Sequence, residues 1–192
     1  MMSIEALIPE RRLASCGDLS CEFLVDPIAR PTPAPFTVVF PRRRRVVLLD
    51  HRKPNSRAIL ARTGQLLRER GVDVPDVIEK AGAGTPMSDA ILDQLSGEPG
   101  LVLCGVSDCG SCSASSSVDS IMLQKRGVAG FAVLTEPFQN QVERAMAYQR
   151  TDRDLPVLLL PHPMQNLTAA ELEQRALLLA DLAERLLAAI PT

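Results

Sequence analysis

The chain has 192 residues and a formal net charge of −2, long enough for one domain with a real core and too nearly neutral to be drawn generally to nucleic acid or an acidic membrane surface. An aromatic content of 3% with no Trp leaves nothing to build a base-stacking platform, and no apolar run approaches the ~20 residues of a membrane span. The N-terminus "MMSIEALIPERR" lacks the basic-then-apolar order of a secretory signal, so the expectation is a cytoplasmic protein in a reducing compartment, without nucleic-acid or membrane partners.

Residues 1–45 read as an arm or linker, and 46–192 as the main domain. The arm holds Cys16, Cys21 and the extended connector "RPTPAP", flanked by the apolar pieces "CEFLV" and "FTVVF", which suit edge strands. Arg42 to Arg45 then precede "VVLLD"; a solvated strand entrance that deters edge pairing is the ordinary reading, and a phosphate anchor the alternative. From Val46 the pattern alternates. "VVLLD" is a buried strand, and Ser56 to Arg70 carries Ile59, Thr63, Leu66 and Leu67 at helical spacing, closed by Gly71. Next come a short strand near Val77 and a helix over 88–95. "LVLCGV" is the next strand, and the helix after it shows Val118, Ile121 and Met122 before Gly127. "GFAVLT" leads to a helix with Pro137 in its first turn, and "PVLLL" to a final helix opened by Thr168 and Glu171 as a capping box. That helix has more leucine than one face needs, which suits a homodimer surface as well as an ordinary buried helix. Uniformly apolar strands alternating with helices imply an α/β fold: a single doubly wound, mainly parallel sheet, Rossmann- or flavodoxin-like.

In such a sheet ligands bind beyond the carboxyl ends of the strands. The segments just past each strand are therefore informative: "HRKPNS", "SDCGSCS", "EPFQN" and "PHPMQN" converge on one rim. Cys109, at or just before a helix N-terminus, is the candidate nucleophile, because free backbone N–H groups and the helix dipole favour a thiolate there. Cys112, one turn on, is placed to resolve a mixed disulfide or assist bond cleavage. Gly110 lets the backbone turn, and Ser111 and Ser113 suit capping and substrate contact. Cys112, Ser115, Ser116 and Asp119 share one helix flank, which puts Asp119 either toward the site or in solvent. Lys53 suits an anionic substrate, and His162, stiffened between Pro161 and Pro163, a proton transfer. Cys104 reads as a core residue; His51 has weaker support. "AGAG", Ala81 to Gly84, does not follow a strand into a helix as a dinucleotide loop does. No cofactor and no bound metal are expected.

With these residues in view, the chain resembles the UGSC family of (seleno)proteins, named for a selenocysteine–Gly–Ser–Cys motif often seen with cysteine first. The likeness runs from about Val46 to the final helix. "LDHRKPNS" is similar to the family's Lys-Pro-Asn segment, "GVSDCGSCSASSSVDSIMLQKRGV" to its central motif and "LPHP" to its last-strand motif. The resemblance puts Cys109 at the selenocysteine position, with Asp108, Ser111 and Cys112 completing the signature, Lys53 and Asn55 in the Lys-Pro-Asn pair, and His162 as the late histidine. Ser107 departs from the glycine common there. The resemblance implies that the Cys109 position is the nucleophile or redox centre, and the family is loosely similar to the selenoprotein subunits of amino-acid reductases.

The leading expectation is thus a thiol-dependent oxidoreductase or lyase: Cys109 attacks a small, anionic, electrophilic substrate, Cys112 releases the product, Lys53 and Asn55 help bind, and a thiol reductant or reductase restores the dithiol. One alternative is a dithiol–disulfide electron carrier for a protein partner. Another is a zinc-binding protein using Cys109, Cys112 and His162.

Overall fold

The computed structural model describes residues 37–148, 157–188 and 190, within the unit Pro33–Thr192. Cys16, Cys21, "CEFLV" and "RPTPAP" lie outside the described residues. Five strands, β1 (Val46–Asp50), β2 (Ile78–Glu79), β3 (Leu101–Ser107), β4 (Ala129–Thr135) and β5 (Val157–Leu160), form one sheet. Their order is β2-β1-β3-β4-β5, and every neighbouring pair is parallel. This is the flavodoxin-like order, whose switch point lies between β1 and β3.

The alternation in sequence becomes this sheet because β1, β3 and β4 are buried along their whole lengths. Both faces must therefore be covered. Helices α1 (Ser56–Glu69) and α5 (Ala169–Leu187) cover one face; α2 (Asp89–Leu95), α3 (Gly110–Lys125) and α4 (Asn140–Tyr148) cover the other. On the first face Ile59, Leu60, Leu67 and Leu179 are fully buried, each contributing ~1.5–3 kcal/mol over an exposed position. Truncating Leu67 to alanine would cost about 2–5 kcal/mol. Most of the extra leucines of α5, Leu172, Leu178, Leu182 and Leu186, pack against this same core; Leu177 is exposed. Pro137 falls in a short 3₁₀ turn, Glu136–Phe138, ahead of α4. Thr168 and Glu171 form the capping box of α5.

Two glycines let α3 and its strands fit. A Cβ on Gly105 would meet the Val133 carbonyl oxygen at 2.6 Å, so β3 approaches β4 as only glycine permits. Gly127, at φ +74°, turns the chain out of α3 in a conformation disfavoured for side-chain-bearing residues.

The stretch 37–40 makes no strand pairing among the described residues. Val38 and Val39 instead pack on the core, and Gln124 holds the Val39 backbone through Val39 N–H to Oε1 (2.6 Å) and Nε2–H to the Val39 carbonyl (3.1 Å). At the strand entrance Arg44 pairs with Glu184, and Arg45 with Asp73 and Glu98, as expected of solvated charges. No helix among the described residues is long and apolar enough to cross a membrane.

Candidate active site at the carboxyl edge of the sheet

The exits of β1 and β3 flank the switch point, and the cysteine pair stands there. Cys109 is the N-cap of α3 in an extended conformation, and a reciprocal box joins it to Cys112. The Cys112 N–H donates to Cys109 Sγ at 3.4 Å, and the Cys109 N–H donates to Cys112 Sγ at 3.1 Å. Helix starts are usually capped by Ser, Thr, Asp or Asn oxygens; here two sulfurs do that work, and not Ser111 or Ser113. In the structure Cys109 and Cys112 are joined as a disulfide, their Cα atoms 5.5 Å apart, within the usual span of such a bond. Cys109 is half-buried, Cys112 buried and Ser111 exposed, with the Ser111 hydroxyl 3.7 Å from Cys109 Sγ.

The β1 exit supplies the neighbours. Lys53 Nζ lies 3.4 Å from Asp108 Oδ1, close enough for ion pairing but off the line of a hydrogen bond, which leaves that buried oxygen without a hydrogen-bond partner. Asn55, at φ 63°, starts α1, and its side-chain amide donates to the Met164 carbonyl at 2.8 Å. Its contact is therefore a tether between the β1 and β5 exits. His162 is exposed. Its Nδ1 is 3.2 Å from Thr135 Oγ1 and its ring meets Phe138 edge-on at 5.8 Å, joining the β4 and β5 exits. Lys53, Cys109, Cys112 and His162 thus share the carboxyl edge. Lys53 reaches the residue next to Cys109, whereas His162 bonds Thr135 and makes no hydrogen bond to either cysteine.

Asp119 and Ser113 do not face the crevice. Asp119 is wholly enclosed: Oδ1 accepts from the Met87 N–H (2.7 Å) and Oδ2 from Lys80 Nζ (2.7 Å). The substrate contact expected of it gives way to an internal ion pair. Ser113 is fully buried, with its hydroxyl unpartnered, because its helix face turns inward.

Beneath the cysteines runs a polar column that also includes Lys80, Ser107 and His51. Lys80 Nζ also donates to Ser115 Oγ at 2.7 Å. His51 Nε2 is 3.2 Å from Asp119 Oδ2 at a poor hydrogen-bond angle, and its Nδ1 is 3.0 Å from Ser116 Oγ. Ser116 Oγ lies 2.6 Å from Ser107 Oγ, whose single proton is within reach of both Ser116 Oγ and, at 3.2 Å, the Cys112 carbonyl. A lone pair on Nε2 would face the carboxylate, so the proton belongs on Nε2 and Ser116 donates to Nδ1. Burial lowers the His51 pKa below its ordinary value; the Asp119 contact opposes this and the Lys80 charge adds to it. Burial likewise raises the Cys104 thiol well above its ordinary value, which makes it an inert core residue. Lys80 carries a sequence signal of the same kind as Lys53, since it stands just past a strand, but β2 is only two residues long.

A cavity of about 390 Å³ opens beside Ser111, between α3, α4 and the loop carrying Gly84 and Pro86. Among the described residues no group of three His, Cys, Asp or Glu side chains is arranged to hold a metal ion.

No curated protein and no solved structure matches the chain. The UGSC family model, in contrast, matches residues 24–189, a span that takes in the Lys-Pro-Asn segment, the cysteine helix and the late histidine together. The chain belongs to the UGSC family.

Proposed function

We propose that this protein is a cysteine-dependent enzyme that cleaves a bond in a small, anionic, electrophilic substrate. The observation that carries this reading is the reciprocal cysteine cap at the switch point: Cys109 Sγ accepts a backbone N–H at the positive end of a 16-residue helix. Once the pair is reduced, that position favours the thiolate, the form that attacks. Lys53 pairs with Asp108, the residue just before Cys109, and so brings a cation to the same rim.

The Cys109 thiolate displaces the leaving group X⁻ from R–X and forms Cys109–S–R. In the reductive version the Cys112 thiolate then attacks the Cys109 sulfur, so that the S–S bond forms and the S–R bond breaks. The departing carbon takes a proton as R–H, with His162 the candidate donor on the same rim. Two thiols have given up two electrons, and a thiol reductant restores them. In the lytic version the adduct leaves by elimination: a proton departs from the carbon next to the S–C bond, a C=C bond forms as the S–C bond breaks, and the Cys109 thiolate is regenerated without disulfide formation.

The accessible Ser111 and half-buried Cys109 also favour a second reading, a dithiol carrier acting on a protein partner. One experiment separates the two. In Cys112→Ser an enzyme still forms the small-molecule adduct at Cys109, seen by intact mass spectrometry, while turnover stalls. A carrier instead traps a mixed disulfide with its protein partner. Insulin reduction by the wild type, supported by a thioredoxin reductase, would overturn the enzyme reading.

A further inference from the structure

The 390 Å³ cavity sits at the lower end of the size range of small-molecule sites, ~300–1,000 Å³. Its walls are mainly apolar, from Pro86, Ala114, Val118 and Ala145. Ser111, Ala114 and Val118 succeed one another along a single stripe of α3, about 10 Å from end to end at helical rise. The Ser111 end adjoins Cys109, through the 3.7 Å contact of hydroxyl and sulfur. Arg144 of α4 is the one charged residue among the described residues of the lining.

The nearby cations differ in what they have left to offer. Lys80 is buried and bound by Asp119 and Ser115. Lys53 shares its charge with Asp108. Arg144 is exposed and has no ion-pair partner among the described residues. A guanidinium presents paired donors that match a carboxylate, and the apolar wall beside it matches a short hydrocarbon chain.

We propose that this cavity binds a small organic acid, with its carboxylate on Arg144, its short apolar body along Ala114 and Val118, and its electrophilic end at Ser111 facing Cys109. The proposal names the substrate class of the enzyme and rests on the reading of Cys109 as nucleophile.

The test uses bromoacetamido-alkanoates, BrCH₂CONH(CH₂)ₙCO₂⁻ with n from one to five, and their uncharged methyl amides. Each alkylates a thiolate by forming an S–C bond and expelling bromide. Rates of Cys109 labelling are normalised to the iodoacetamide rate of the same protein. The expected result is saturable labelling with one preferred chain length and at least a tenfold advantage of acid over amide. Arg144→Gln brings that ratio to about one, while Ala114→Leu shifts the preference to shorter chains. No acid preference, or one that survives Arg144→Gln and disappears in Lys53→Gln, overturns the inference and leaves the nucleophile intact. Failure of iodoacetamide itself to label Cys109 removes the underlying reading instead.

Discussion

Two polar regions meet at the carboxyl edge of the sheet, and they differ in how fully their bonds are made. In the outer one, Lys53 stands 3.4 Å from Asp108 without a hydrogen bond, one Asp108 oxygen has no hydrogen-bond partner, and Ser111 is exposed beside a half-buried Cys109. One layer inward, Lys80 and Asp119 are joined at 2.7 Å, each with a second partner, and Ser116 bridges His51 to Ser107. The inner groups are enclosed and mostly satisfied, so they hold α3 against the sheet. The outer groups keep spare capacity, which is what a ligand needs.

The largest effect should come from breaking the inner pair. Asp119→Ala strands a buried ammonium and is expected to cost about 3–5 kcal/mol, read as a lower urea midpoint. Adding Lys80→Met to it should recover part of the loss; a double variant no more stable than Asp119→Ala would mean that the two do not act as a pair. Next in size is Ser116→Ala, which leaves His51 Nδ1 without its donor and should cost about 1–3 kcal/mol. An unchanged midpoint would show that the column carries no strain when cut there.

A third test is titration. The folded His51 pKa lies below its ordinary 6.5, so the unfolded chain takes the proton first as pH falls. Stability contributed by neutral His51 is thus present above about pH 6.5 and declines below it, at no more than about 1.4 kcal/mol per pH unit, until the folded pKa is reached. Urea melts between pH 7 and 5 should show the slope in the wild type and lose it in His51→Gln. In Lys80→Met the slope should weaken, because the charge that helps depress His51 is gone. The smallest effect on stability belongs to the outer region: Ser111→Ala should stay within ~0.5 kcal/mol of wild type yet change the alkylation rate of Cys109. A large fall in stability there would erase the distinction between the regions.

The same contrast explains how much is legible in the sequence. Strand exits are local, and reading them brings Lys53, Asp108 and Cys109 to one rim. Helical spacing also groups the flank Cys112–Ser115–Ser116–Asp119 correctly. It does not give the direction of that flank, because the groups that draw Asp119 inward, Lys80 and His51, come from the exits of two other strands. Spacing along one helix says which residues share a face and is silent on what that face meets. Ser113 and Asn55 teach the same lesson: a hydroxyl can turn inward, and an amide can serve as a tether between loops.

The two-sulfur cap has a consequence for the reaction cycle. A thiolate is a good acceptor for the Cys112 N–H, whereas the sulfur of a thioether adduct is a weak one. Alkylation at Cys109 therefore spends part of the bond that fastens the first turn of α3. On the proposed cycle, the covalent intermediate slackens its own anchorage just when Cys112 must move against the Cys109 sulfur, and regeneration of the dithiol winds the turn tight again.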